Sequence, residues 1–236
     1  MSRITFVALL GAVMFSLAGC AYPMSEGTGS PLEPTVRLGE ARSHLERGRT
    51  LLAQGQLERA IEEFDQAIEL DSDEVEVYAA RGFAYVALGE FEPGIADYDT
   101  AIELEPEDPT LYNDRGFAYA ELGKYERAIA DYNQAIEMAP HHDSVDYTYN
   151  NRGFAYGNLE KYEQAFRDFE RAIELNPDNA WIYYNRALIR IDMGQSTNAI
   201  PDLELSLLLE NPPLDFKRRA KAEELLEQLQ TWSSEA

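Results

Sequence analysis

The chain has 236 residues, and 43 acidic against 20 basic side chains give it a net charge of -23. A negative balance of that size opposes binding to phosphate backbones and anionic lipid heads, which excludes nucleic acid as a partner and leaves basic peptides open. Its one cysteine, Cys20, excludes an internal disulfide and any cysteine-based metal cluster.

Residues 1–19 read as a secretory signal: Arg3, an apolar run from Ile4 to Phe15, and Leu17-Ala18-Gly19 directly before Cys20. The run falls short of the ~20 residues that a membrane-spanning helix needs. Leu17-Ala18-Gly19-Cys20 resembles a bacterial lipobox. The resemblance implies cleavage before Cys20, diacylglycerol on its sulfur and an acyl group on the new amine. Each buried CH2 of those chains contributes ~0.8 kcal/mol to membrane attachment. Ala21 stands where an Asp favours inner-membrane retention in lipoproteins of enterobacterial type, so the expected location is the outer membrane of a bacterial envelope, facing the periplasm. Residues 20–40 are then the lipidated cysteine and a flexible tether, rich in Pro, Gly, Ser and Glu and without apolar period.

Beyond the tether the glycine of an Arg-Gly-Phe-Ala-Tyr run returns at Gly82, Gly116 and Gly153, spaced by 34 and then 37 residues. This period belongs to an array of helix-turn-helix units, each burying its apolar face on its neighbours. Aligning the glycines gives five units, 41–74, 75–108, 109–142, 146–179 and 180–213, with Asp143-Ser144-Val145 as an insert. Tyr112, Gly116 and Tyr119 share one helical face, and Ala128, Tyr132 and Ala135 share a face of the following helix. Small Gly116 and Ala128 let the two helices approach, while the tyrosines, Tyr125 included, fill the space around the contact. Pro106, Pro140 and Pro177 stop the second helices, and Glu107-Asp108 and Asp178-Asn179 supply turn and capping groups. Pro93 and Pro201 are both expected in the first turn of a helix. The end units depart from the pattern: His44 and Leu51 replace tyrosines and Ser72 a proline in the first, Ala187 replaces the glycine and Arg190 a core tyrosine in the fifth. Residues 214–236 read as an amphipathic capping helix and tail that turns Phe216, Ala222, Leu225, Leu226, Leu229 and Trp232 onto the last unit. Its basic cluster Lys217, Arg218, Arg219 and Lys221 is read as a solvated polar face.

The recurring positions resemble the tetratricopeptide repeat (TPR) family. They are Tyr112, Gly116, Tyr119, Gly123, Tyr125, Ala128, Tyr132, Ala135 and Pro140 in the third unit, and Tyr149, Gly153, Tyr156, Tyr162, Ala165, Phe169, Ala172 and Pro177 in the fourth. The resemblance implies an all-α, right-handed superhelical solenoid of five helix-turn-helix repeats with a C-terminal capping helix. It also implies that the first helices of successive units line a concave groove. On those helices the side away from the Tyr-Gly-Tyr face carries Phe83, then Asn113 and Phe117, then Tyr147, Asn150, Asn151, Phe154 and Asn158, then Trp181, Tyr184 and Asn185. Amides can pair with a peptide backbone while aromatics take its side chains, so these residues are the expected peptide-binding groove. The family's clamp for a C-terminal carboxylate needs lysine on these helices; the groove lacks it, which disfavours that binding mode.

An arginine precedes the glycine position in every unit, and an acid follows sixteen residues later: Arg47 with Glu63, Arg81 with Asp97, Arg115 with Asp131, Arg152 with Asp168, and Arg186 with Asp202. The offset spans one helical hairpin, so each pair is expected to bridge two packed helices as a structural ion pair.

No glycine-rich phosphate loop, His-Glu-x-x-His, Gly-x-Ser-x-Gly or paired-cysteine spacing occurs, and no enzyme is expected. His141-His142-Asp143 is read as solvent-facing, Asp71-Ser72-Asp73-Glu74 as a helix-capping turn, and neither as a metal site. No cofactor is expected beyond the covalent lipid on Cys20. The sequence thus points to a membrane-anchored adaptor that touches the membrane through its lipid alone and binds other proteins through peptide segments to assemble envelope complexes. In plan it resembles the bacterial TPR lipoproteins that scaffold envelope proteases and peptidoglycan hydrolases. A pilotin-like assembly factor for a pilus or secretion apparatus is the alternative of the same architecture, and a small-ligand carrier or enzyme the alternative of another class. The end units leave a homodimer open.

Overall fold

The computed structural model describes residues 34–71, 73–141, 145–210 and 212–235. The signal segment, Cys20, the tether up to residue 33, His142 and the first two insert residues, Asp143 and Ser144, lie outside these, while the third, Val145, opens a helix.

Eleven helices follow one another among the described residues: α1 (Pro34–Ala53), α2 (Leu57–Leu70), α3 (Val75–Leu88), α4 (Phe91–Leu104), α5 (Pro109–Glu121), α6 (Tyr125–Met138), α7 (Val145–Asn158), α8 (Tyr162–Leu175), α9 (Ala180–Asp192), α10 (Ser196–Leu208) and α11 (Phe216–Glu235). Among the described residues there is no strand, and no helix is long and apolar enough to cross a membrane. Each odd helix packs on the even helix that follows, each even helix on the next odd one, and successive odd helices from α1 to α9 also touch. The odd helices therefore line the inner face of an all-helical solenoid, with α11 packed on α10.

Periodicity explains why each hairpin closes. On α8 the buried residues are Ala165, Asp168, Phe169 and Ala172, spaced by three and four so that they form one stripe. The partner helix offers Gly153 there, and a Cβ on it would lie 3.1 Å from both the Ala165 carbonyl oxygen and the Phe169 ring. No single unit holds a complete core. The first apolar cluster joins Leu45, Phe64 and Ala67 of the first hairpin to Val77 and Ala84 of α3, and another joins Tyr98 and Ala101 of α4 to Leu111 of α5. Burial thus grows by stacking, as one-dimensional arrays require.

Local chemistry sets the helix ends. Asp108 accepts a hydrogen bond from the Thr110 amide at 2.8 Å, with Pro109 opening α5, and Asn179 accepts from the Trp181 amide at 3.0 Å at the head of α9. Asn179 also donates to the buried Asp146 carboxylate at 3.1 Å, as does Asn176 at 3.0 Å, and these bonds tie α7 to the α8–α9 corner. Within four hairpins the chain reverses through a glycine in the left-handed region, Gly55, Gly89, Gly123 and Gly194; in the fourth hairpin Glu160 takes that place at φ 58°.

Three expectations are corrected. The tether does not run to residue 40, because α1 begins at Pro34, a residue whose fixed φ suits a first turn. Pro201 lies inside α10, past its first turn, where it removes a bond to the Thr197 carbonyl on the exposed face. Phe216 stands 87% exposed; the apolar residue buried at that corner is Leu214, which joins Ala222 of α11 against α9 and α10. The Trp232 side chain lies outside those described.

Candidate functional site

Arginines hold the hairpins together on one side of the inner helices. The Arg81 Nε and Nη2 donate to the two oxygens of Asp97 at 2.8 and 2.6 Å, and Arg115 grips Asp131 in the same fork at 2.9 and 2.7 Å. Arg152 does so with Asp168 at 2.7 Å twice, and Arg186 with Asp202 at 2.9 and 2.6 Å. The first unit differs. Arg47 reaches Glu63 through Nε alone at 2.8 Å, its side chain is 48% exposed, and His44 shares the same carboxylate oxygen at 2.8 Å.

The arginines also reach a second acceptor, unforeseen in the sequence reading. Arg81 Nη1 donates to Asp65 at 2.6 Å, Arg115 Nη1 to Asp99 at 2.7 Å, and Arg152 Nη1 to Asn133 at 2.8 Å, each on the preceding unit. Each guanidinium lies 5.3–6.0 Å from the rings of the tyrosines three before and four after it, Tyr78 and Tyr85, Tyr112 and Tyr119, and Tyr149 and Tyr156. One side chain therefore closes its own hairpin and staples it to the one before. The signal was present: Asp65 and Asp99 precede their arginines by the same sixteen residues that separate the arginines from Asp97 and Asp131. Hydrogen bonds to Asp97 and to Asp131 hold the Arg81 and Arg115 guanidiniums above their ordinary range, so both stay charged. In the fifth unit Arg190 replaces the second tyrosine, donates to Asp202 at 2.6 Å and lies 5.7 Å from the Phe166 ring.

The opposite side of the inner helices forms a cleft. Phe117, Ala120 and Glu121 of α5, Tyr132 of α6, Asn151 and Phe154 of α7, Trp181, Tyr184, Asn185 and Leu188 of α9, and Arg218 of α11 line an open hollow. Six of the expected groove residues meet there: Phe117, Asn151, Phe154, Trp181, Tyr184 and Asn185. The others lie elsewhere. Phe83 projects from α3, 51% exposed. Asn113 borders a separate recess with Thr110 and Thr148, and accepts from the Thr148 hydroxyl at 3.1 Å. Tyr147 is half-buried, and Asn158 donates to the Phe154 carbonyl of its own helix at 2.9 Å. Asn150 requires a correction: it is wholly buried and accepts from Asn185 at 3.1 Å, so its amide locks α7 to α9 and has none of the exposure that a partner would need. One helical position separates it from Asn151, and the tilt of α9 against α7 decides which of the two amides turns inward.

The basic residues of α11 divide. Arg218 stacks over the Trp181 ring at 4.3 Å and pairs with Asp215, closing one end of the cleft. The Trp181 indole donates to the Pro213 carbonyl at 2.9 Å, which fixes the ring as a wall.

Among the described residues one buried polar group of the cleft lining lacks a partner. The Tyr132 hydroxyl is buried and makes no hydrogen bond. Burial first, and then the nearby Glu121, Asp131 and Asp114 carboxylates, push its pKa well up, so it stays neutral. Asp114 sits one turn before Phe117, at the repeat position that Asn151 and Asn185 occupy in the cleft. Burial pushes its carboxyl up to about 6 against an ordinary 3.8, while the Asn113 amide, donating at 3.2 Å, opposes the shift.

Four family models match the chain, described as tetratricopeptide repeat over residues 85–148, TPR repeat over 48–89, and tetratricopeptide repeat over 147–179 and over 169–200. No curated protein matches it by sequence. Among solved structures it resembles Pseudomonas aeruginosa pilF, at TM-score 0.62 and 19% identity over 85% of this chain and 95% of that one. It also resembles TTC0263, a thermophilic TPR protein of Thermus thermophilus, at TM-score 0.65 and 21% identity over 79% and 98% of the two chains. A third similar structure is the TPR protein YrrB, at TM-score 0.57 and 20% identity over 81% and 97%. With the matched segments running from residue 48 to residue 200, and helical hairpins stacked through them, the chain belongs to the tetratricopeptide repeat family.

Proposed function

We propose that the protein is a lipid-anchored adaptor of the bacterial envelope, attached through Cys20 and facing the periplasm, that holds a segment of another protein in the α5–α9 cleft to assemble envelope complexes. The observation that carries this reading is the cleft itself, where Phe117, Phe154 and Trp181 present ring surface beside the amides of Asn151 and Asn185 across three successive units. Rings take apolar side chains, and amides pair with the backbone of an extended or helical peptide. The fold adds support, since TPR arrays serve as protein-binding surfaces and YrrB is described as having an unusual peptide-binding site. The lipobox-like Leu17-Ala18-Gly19-Cys20 supports the anchor.

A photo-crosslinking amino acid placed at Asn151, or on the outer helix α6 at exposed Glu137, tests the groove in cells. Adducts specific to position 151 and lost with Phe154→Ala support it; equal adducts from both positions refute it. For the anchor, Cys20→Ser is expected to move the protein from the membrane to the soluble fraction, and unchanged fractionation counts against lipidation.

A further inference from the structure

The apolar residues of the cleft stand at regular intervals. Phe117, Phe154 and Leu188 follow one another by 37 and then 34 residues, one repeat each time, so they occupy the same turn of α5, α7 and α9. Asn151 and Asn185 recur in the same way, each one turn before the apolar residue of its own helix. Helices in contact lie ~8–10 Å apart, and α5, α7 and α9 touch in succession. A segment laid across them therefore meets an apolar seat about every 8–10 Å, with an amide near the second and the third.

That interval discriminates between backbone conformations. A polyproline II segment rises ~3.1 Å per residue with three residues per turn, so every third side chain returns to one face after ~9.3 Å. A β-strand shows one face at every second residue, at ~6.6 or ~13 Å. An α-helix returns after seven residues at ~10.5 Å, but it satisfies its own carbonyls and offers Asn151 and Asn185 no backbone to pair with. Polyproline II makes no internal hydrogen bonds, so its carbonyls are free to accept from those amides.

The chain itself supplies a second, independent observation. At one end of the cleft the Trp181 indole donates to the Pro213 carbonyl at 2.9 Å, and the Ala180 amide donates to the Pro212 carbonyl at 3.3 Å. A proline pair is thus seated against a cleft wall through its carbonyls, and proline has no N–H to leave unsatisfied. Charge agrees: Arg218, the cation of the lining, is already paired with Asp215, and the acid of the lining, Glu121, stands exposed at the end of α5, so the seats between them suit uncharged side chains. We infer that the cleft takes a proline-rich segment in the polyproline II conformation, with an apolar side chain or a proline at every third position, seated in turn on Phe117, Phe154 and Leu188. The inference rests on the peptide reading above and adds the conformation and spacing of the segment.

Panning a phage library of random dodecapeptides on the full chain, and in parallel on its Phe154→Ala and Asn151→Ala variants, tests it. Asn151→Ala removes only an amide of the lining and keeps the packing of the helices, so one variant stays folded even where the loss of the Phe154 ring is not tolerated; circular dichroism verifies both. Proline-containing peptides with apolar residues at every third position are expected to be enriched on the wild type and lost on Phe154→Ala. In a synthetic peptide from the enriched set, moving the central apolar residue by one position keeps the composition but breaks the spacing, and should cost about tenfold in affinity. The unshifted peptide should bind Asn151→Ala about fivefold more weakly, because a carbonyl loses its donor. Peptides that need Phe154 but carry their apolar residues seven apart or without period, or that are indifferent to the one-residue shift, overturn the inference and leave the groove reading standing. No binders, or binders indifferent to both variants, overturn both.

Discussion

Removing the Asp131 carboxylate should unbalance a fork that spans two hairpins. In the native chain Asp131 accepts two bonds from Arg115 at 2.9 and 2.7 Å, and the side chains are 9% and 18% exposed. Breaking a fully buried pair from one side costs ~3–5 kcal/mol, because the orphaned charge remains dehydrated. Arg115 is not fully buried and keeps Asp99 on Nη1 at 2.7 Å, so the expected loss for Asp131→Ala is smaller, about 2–3 kcal/mol. The same logic predicts a rescue. Arg115→Met added to Asp131→Ala removes the stranded charge, keeps an apolar stem between Tyr112 and Tyr119, and should recover about 1 kcal/mol. Urea unfolding followed by circular dichroism reads both, provided the slope with denaturant is unchanged between variants. A loss below about 0.5 kcal/mol for Asp131→Ala, the range of an ordinary surface change, refutes the reasoning. So does a double variant weaker than the single one, since the arginine would then be valued for something other than its pairing.

Three further outcomes are expected. Glu160→Gly should stabilise the chain by about 1 kcal/mol in the same urea assay, because Glu160 holds φ 58° where the other hairpins use glycine; a loss would mean that its side chain does more than tolerate the turn. Gly153→Ala should cost about 1 kcal/mol net, since a Cβ 3.1 Å from the Ala165 carbonyl oxygen pushes α7 off α8 by more than the gain in helix propensity returns; a neutral result would show that the helices can separate freely. Asp114→Asn should raise stability in a pH-dependent way. The folded carboxyl sits at about 6 against 3.8, so the folded state holds the proton more tightly, and wild-type stability falls as pH rises from about 4 to about 6. The whole span corresponds to about 3 kcal/mol; partial exposure trims the expected gain of the variant at neutral pH to about 1–2 kcal/mol, vanishing below about pH 4. Thermal melts of both proteins across that range decide it, and a difference that does not vary with pH sinks the assignment.

Much of this molecule is written locally. Helix type and hairpin pairing follow from apolar stripes at four-and-three spacing and from a repeat of about 34 residues, because every unit repeats the same short-range contacts and the fold class is legible wherever one unit is. The Arg–acid offset is legible for the same reason, since it lies within one hairpin. The contacts between units keep that offset only in part, and those at the ends not at all. Asp65 and Asp99 meet arginines of the following unit, and Asn133 does the same from nineteen residues away, because stacking, and not sequence distance, brings the hairpins together. Phe216, which amphipathic spacing turns onto the last unit, stands exposed while Leu214, just before α11, is buried, because the approach of α11 to α10 sets which residue turns inward. Asn150 and Asn151 are neighbours of one chemistry, yet one is a buried strut and the other a wall of the cleft. A periodic pattern states which residues share a helical face; only the packing angle between successive hairpins states which of those faces meets another helix, which meets solvent, and which is left, like the Tyr132 hydroxyl, without a partner.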